Sequence, residues 1–358
     1  LTIVDKENNV TYKNQGILVE NGDDGDSFNY SPPRKDLEVF SNESESSVKI
    51  SGSDVYSQAV IHFDMVVPEN LEERAEGKVS VTMPVDMTVA LRKGSKVIDF
   101  NVKVDNKGLS HRLCVVFDSQ IVSAFNYADQ QFGLIKRPNY YEKEMKLYME
   151  SMNNRSEKKT GIQELANWAN DQSTWQEPPI SIEPTQSYVS LTDGKTGVAV
   201  IPQGVREYEV LDDSKIRLTL FRTYGFMGKE NLIYRPGRAS GERIIETPAA
   251  QLLKQMEFNF GFTTYAGDIN DADIDTLAKQ YDTNMEVYTY AEFLNGRLIF
   301  SQREIEGKND IVHSLFETEG NLVVSAIKKA EEDDGYIIRL YNGKDHRNLD
   351  DKITVSYT

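Results

Sequence analysis

The chain has 358 residues, 39% of them hydrophobic, enough to fill real cores in two domains or in one large β-structure. Its formal net charge of −17 opposes partners recognised through phosphate, nucleic acid or an anionic membrane, because those associations draw on clustered Lys and Arg. A single cysteine, Cys114, rules out an internal disulfide, and no uninterrupted apolar run reaches the about 18 residues of a membrane helix, so a soluble, reducing compartment, the cytoplasm, is expected.

The chain opens directly in LTIVDKENNVTYKN and stops inside the strand-like KITVSYT, so both ends read as cut. Residues 21–36, NGDDGDSFNYSPPRKD, are too broken by Gly and Pro for a helix and too polar for a buried strand. They read either as a tight turn whose Asp side chains satisfy local N–H groups, or as a loop built to hold something. From Val79 to Leu91 every odd position is apolar, the period of a strand with one buried face. Pro84 lies inside that run without an N–H to donate, which predicts an edge position or a bulge. After the turn RKGS, residues 97–104 return as the second arm of a hairpin.

A short strand at 112–117 follows, and then a helical insertion of about 141–172. Its best helical stretches are 141–152 and 160–170, and the prolines of WQEPP end it. Strands resume at 197–201, 208–210, 216–221 and 257–262. A helix over 271–281, acidic in its first turn, bridges to a second domain. Five more strands, at 286–293, 297–303, 322–328, 336–341 and 352–357, place the boundary near 283. The expected organisation is mainly β, with a large sandwich over 1–283 and a small β-sandwich over 284–358.

Few motifs with reactive chemistry are present. Counted from Asp24, the acidic loop lacks the sixth-position Gly and twelfth-position Glu of an EF-hand, and DADID at 271–275 has Thr276 where the Gly should be, so a helix cap is the better reading. His62, His111, His313 and His346 are scattered, with no HExxH and no Cys partner. There is no G-x-S-x-G elbow, and Cys114 reads as a packed thiol on a strand. What remains is LFRTYGFMGKENLIYRPGRASGE at 220–242, with Arg222, Arg235 and Arg238 among Tyr224, Phe226 and Tyr234, broken by glycines. Glycines permit close backbone approach, arginine forks bind hydroxyls or carboxylates, and aromatic faces pack on sugar rings, so the composition suits carbohydrate. The alternative is that these arginines pair with local acids such as Glu230 and Glu242.

The segments GDSFNYSPP (25–33), HRL (111–113) with IKRP (135–138), EPP (177–179) with PTQSYVSLTDG (184–194), LTLFRTYGFMGKENLIYRPGRASGE (218–242) with TPAAQ (247–251), and IKKAEEDDGYIIRLYN (327–342) run in order along the chain. Together they resemble the C-terminal half of bacterial glycoside hydrolase family 38, the α-mannosidase and mannosylglycerate hydrolase family. The resemblance implies a galactose-mutarotase-like β-supersandwich followed by a small β-sandwich, and retaining cleavage of α-mannosidic bonds. It places the Zn²⁺ and the catalytic carboxyls in an N-terminal α/β-barrel outside this chain, so neither catalytic nor metal residues are expected here, and the chain alone is expected to be inactive.

In related eukaryotic enzymes a Gly-x-Tyr-x-Phe-x-Pro stretch carries an aromatic hydroxyl to the substrate. Here Phe28 stands at the Tyr position, leaving Asp26 or Tyr30 to supply a polar contact. The resemblance therefore nominates Asp26, Phe28, Tyr30, Arg222, Arg235 and Arg238 as substrate-binding residues. The implied partners are a mannose-containing glycan or mannosylglycerate and the protein's own N-terminal catalytic domain, and a homodimer is admitted. Two other readings are a free carbohydrate-binding module, and an aldose 1-epimerase-like enzyme with a His and a Glu as acid and base.

Overall fold

The computed structural model describes residues 1–155, 177–236, 244–283, 316–319, 322–343 and 354–357. Its contacts divide the chain into two compact units, Leu1–Ile274 and Asp275–Thr358. The sequence-derived boundary near 283 falls nine residues later, so the helix Ile274–Asp282 is grouped with the second unit except for its first residue.

The first unit is a β-supersandwich of two antiparallel sheets. The larger has nine strands, in the order Gly133–Pro138, Phe125–Gln130, Val189–Thr192, Thr196–Gln203, Gln255–Ala266, Val97–Asp105, Val81–Arg92, Tyr56–Val67 and Ser46–Gly52. The smaller has six, in the order Glu183–Pro184, Glu207–Leu211, Lys215–Arg222, His111–Asp118, Gln15–Gly22 and Val39–Phe40. Alternation turns one face of each sheet inward: Met83, Val85 and Met87 from one, Leu18, Val115 and Leu218 from the other, all buried in one core. Aromatic rings lock the layers, with Phe117 of the smaller sheet stacked on Phe262 at 5.2 Å between centroids and edge-on to Phe100 at the same separation.

The hairpin predicted around RKGS is Val81–Arg92 with Val97–Asp105, and Pro84 sits where its missing N–H costs nothing. Pairing to the second arm begins only at Val85 with Val104, so Pro84 has a ladder on one side alone, opposite Asp64. The first predicted helix is present as Glu142–Arg155; its expected continuation at 160–170 lies outside the described residues.

In the second unit two hairpin-like pairs are described, Val323–Lys329 with Tyr336–Tyr341 and Phe316–Glu319 with Thr354–Tyr357. Lys279 on the helix Ile274–Asp282 donates to the Val324 carbonyl at 3.2 Å and lies 4.8 Å from the Tyr341 ring centroid. The strands expected at 286–293 and 297–303 lie outside the described residues.

Candidate functional site

Topology decides which loops meet. Gln15–Gly22 and Lys215–Arg222 flank His111–Asp118 on its two sides, and both run antiparallel to it. They are therefore parallel to one another and end at the same edge of the smaller sheet, where Gly22 faces His111 and Arg222 faces Arg112. Chain 23–38 leaves one end and chain 223–236 the other. The exits are pinned by Asp23 N–H to the Ser110 carbonyl at 2.9 Å and Thr223 N–H to the His111 carbonyl at 2.7 Å.

A β-bulge then aims the arginine. Pairing to His111–Asp118 runs regularly to Thr219 opposite Cys114, skips a residue, and resumes with Phe221 opposite Leu113. Leu220 and Phe221 are both buried, and Arg222 emerges on the outer face beside Arg112, where strict alternation from Thr219 would have turned it inward.

From there Arg222 forms a two-toothed pair with the buried Asp23, Nε to Oδ2 at 2.7 Å and Nη2 to Oδ1 at 3.2 Å. The same Nη2 donates to the carbonyls of Asp26 at 3.0 Å and Asn29 at 2.9 Å. Burial pushes the Asp23 carboxyl above its usual range, against the opposing pull of Arg222 and the Gly25 N–H.

Asp26 is the hub of the loop. Its Oδ1 accepts the N–H groups of Phe28 at 2.9 Å and Asn29 at 3.0 Å, a local turn, while its Oδ2 accepts the Lys229 N–H at 2.8 Å and the Arg235 guanidinium. Arg235 also donates to the Asn29 side chain and to the Lys229 carbonyl, the latter at 3.1 Å. Burial works to raise the Asp26 carboxyl, but Arg235 and the three backbone donors outweigh it and hold it below the ordinary range. Lys229 pairs with Asp24, and Ser27 Oγ donates to the Met227 carbonyl at 2.6 Å, so the two loops are joined along their length.

The turn reading of this segment thus has structural content, since Asp23 and Asp26 accept local N–H groups. Arg222 and Arg235 take their acids from the other loop, Asp23 and Asp26, and not from Glu230; Glu242 lies outside the described residues. Asp23, Asn29 and Lys229 are the participants that sequence reasoning passed over. The repeated Asp in NGDDGD was the signal for Asp23.

Tyr30 is buried and its hydroxyl accepts from Asn21 Nδ2 at 3.0 Å. Its ring lies 3.9 Å from the Arg112 guanidinium carbon and edge-on to Tyr234 at 5.9 Å. Arg112 in turn donates from Nη2 to Glu209 at 3.0 Å, and Arg217 donates to the same oxygen from Nε at 2.7 Å. An ion network on the outer sheet face thus underlies both loops. Phe28 alone among the described candidates turns outward, 58% exposed, with Met227 exposed on the adjoining loop. Arg238 lies outside the described residues.

The epimerase reading needs an accessible His and carboxylate. His111 does meet Glu20, Nδ1 to Oε1 at 2.9 Å, but both side chains are fully buried, with Nε2 against Asn106 Oδ1 at 2.8 Å and Arg74 on the same carboxylate. That pair is structural; the other described His–carboxylate pair, His62 Nδ1 to Asp86 Oδ1 at 2.7 Å, is half-exposed on the larger sheet. Among the described residues no three His, Cys, Asp or Glu side chains converge as a metal-binding group. Nor is any described helix long and apolar enough to cross a membrane.

Residues 1–226 match the family model for the glycosyl hydrolases family 38 C-terminal domain. A curated protein of Halalkalibacterium halodurans, named "Putative mannosylglycerate hydrolase", is 24% identical over 363 residues, covering 96% of this chain and 34% of its own length. Two crystal structures from Enterococcus faecalis share the fold. A protein in glycosyl hydrolase family 38 has a TM-score of 0.74 and 19% identity over 99% of this chain and 37% of its own. An α-mannosidase from strain V583 has a TM-score of 0.72 and 21% identity over 96% and 34%. This chain therefore spans about a third of the length of the relatives it matches.

Proposed function

Because the chain belongs to glycosyl hydrolase family 38, we propose that it is the C-terminal portion of a retaining, zinc-dependent α-mannosidase of the bacterial cytoplasm, whose reactive centre lies in a preceding catalytic domain. Retaining hydrolysis places two carboxyl groups about 5–5.5 Å apart across the scissile bond. The described residues offer no zinc cradle, and their buried carboxylates Asp23 and Asp26 are consumed by arginines. The contribution of this chain is shape. Its clamped loops present Phe28 as an apolar wall for a sugar face, with Asp26, Tyr30, Arg222 and Arg235 holding that wall rather than touching the substrate. The substrate is a mannose-containing glycan or mannosylglycerate.

The observation that carries this reading is the contrast within one loop: Asp26 fully buried and saturated, Phe28 two residues on and exposed. The test is hydrolysis of an α-mannoside by the 358-residue chain and by a full-length family 38 polypeptide containing it. The longer protein should turn over and lose activity on zinc chelation, and the chain alone should not. Turnover by the chain alone at an enzymatic rate would end the proposal.

A further inference from the structure

A concavity lies on the same outer face of the smaller sheet, farther along the strands from the clamped loops. It has a volume of about 450 Å³, within the about 300–1,000 Å³ typical of small-ligand clefts. Its floor follows from the register. Ile17 pairs with Val116, Val116 with Arg217, and Val19 with Phe40, and directly paired residues share a face. The neighbours Leu18, Val115 and Leu218 point the other way, into the core. An apolar floor of Ile17, Val19 and Val116 with the Phe40 ring is thus built into a polar-rimmed groove.

The rim decides the ligand class. Both cations of the lining are committed, Lys215 to Asp212 at 2.7 Å and Arg217 to Glu209 at 2.6 Å and Glu38 at 3.3 Å. The amides of Asn14 and Asn42 and the carboxylate of Glu43 also line the groove and have no side-chain partner among the described residues. Asp118 accepts the Gln120 N–H on one oxygen at 3.0 Å and lies in the field of Lys215. An anion would face the unpaired Glu43 carboxylate with both lining cations already committed, and a simple amine would leave the amide donors unanswered. A hydroxyl both donates to carboxylate and accepts from amide, and an apolar floor suits the C–H face of a ring.

We propose that this groove is a binding site for a neutral saccharide of one or two rings. The proposal stands on the groove itself and does not depend on the role given above to Phe28.

Isothermal titration of the 358-residue chain with methyl α-mannoside, mannobiose and cellobiose should give saturable binding of at least one. Asn42→Ala and Glu43→Gln, both exposed substitutions, should each weaken it about tenfold, the scale of one hydrogen bond, with an unchanged melting temperature. Phe28→Ala should leave it intact, and glucuronate and putrescine should bind no better than the neutral sugars. Absence of binding by every neutral sugar overturns the proposal, as does preference for the anion or the amine. Binding that survives both groove variants but is lost with Phe28→Ala also overturns it, and would place the saccharide on the clamped loop, leaving the functional reading standing.

Discussion

Asp26 and Arg235, 209 residues apart in sequence, form an ion pair whose side chains are 0% and 4% exposed. Removing one member of such a pair strands the other charge in the interior. Asp26→Ala and Arg235→Ala should each cost about 3–5 kcal/mol in urea unfolding of the first unit. The double substitution should cost less than their sum, because the second removal relieves a charge the first left unpaired.

The same pair sets an acid limit. The Asp26 carboxyl lies below its ordinary value when folded, so its contribution is complete above the unfolded value of about 3.9 and is lost as pH falls through the lowered folded value. Asp23, raised by burial, carries the opposite sign, so the two are separated by difference. The stability gap between the native chain and Asp26→Asn should be constant near neutrality and close below pH of about 4, as read from denaturation midpoints across pH.

Phe28 is mostly solvent-exposed, and its ring makes none of the polar contacts that join the two loops. Phe28→Ala should leave unfolding of this chain within about 0.5 kcal/mol of native. In the full-length polypeptide it should raise KM for an α-mannoside by about tenfold, the scale of one lost apolar contact. Unchanged kinetics would remove Phe28 from the sugar wall.

Gly25 has no room for a side chain: a β-carbon there would fall 2.0 Å from the Asn29 carbonyl oxygen and 2.8 Å from the Ser31 nitrogen. Gly25→Ala should force the turn open and lose the contacts Arg222 makes to the Asp26 and Asn29 carbonyls. Faster amide hydrogen exchange at Asp26 and Phe28, with little change at the core strands, is the expected signature.

Cys114 is fully buried beneath the outer ion network, its Sγ 3.7 Å from Thr219 Oγ1, and burial pushes its thiol up despite the nearby Arg112 and Arg217. A disulfide reagent should leave the native chain unmodified and label Cys114 only along the urea unfolding curve.

Period-two patterning at 79–91 and at 97–104 was enough to identify a β-sandwich hairpin, because each strand keeps one face in the core and the side-chain period is fixed by the backbone. Gln15–Gly22 escaped that reading for the converse reason: it is buried on both faces, so Gly-Ile-Leu-Val shows no alternation. The segments around Asp26 and Arg235 could be singled out by composition, and their resemblance pointed to the family. Composition could not say that Arg222 reaches Asp23. That contact depends on two parallel strand ends brought to one sheet edge and on a single bulged residue, Leu220, which rotates every later side chain to the opposite face. Local sequence sets which residues alternate and turn. Only the closed sheets set which charges, 200 residues apart, are desolvated together and must therefore pair.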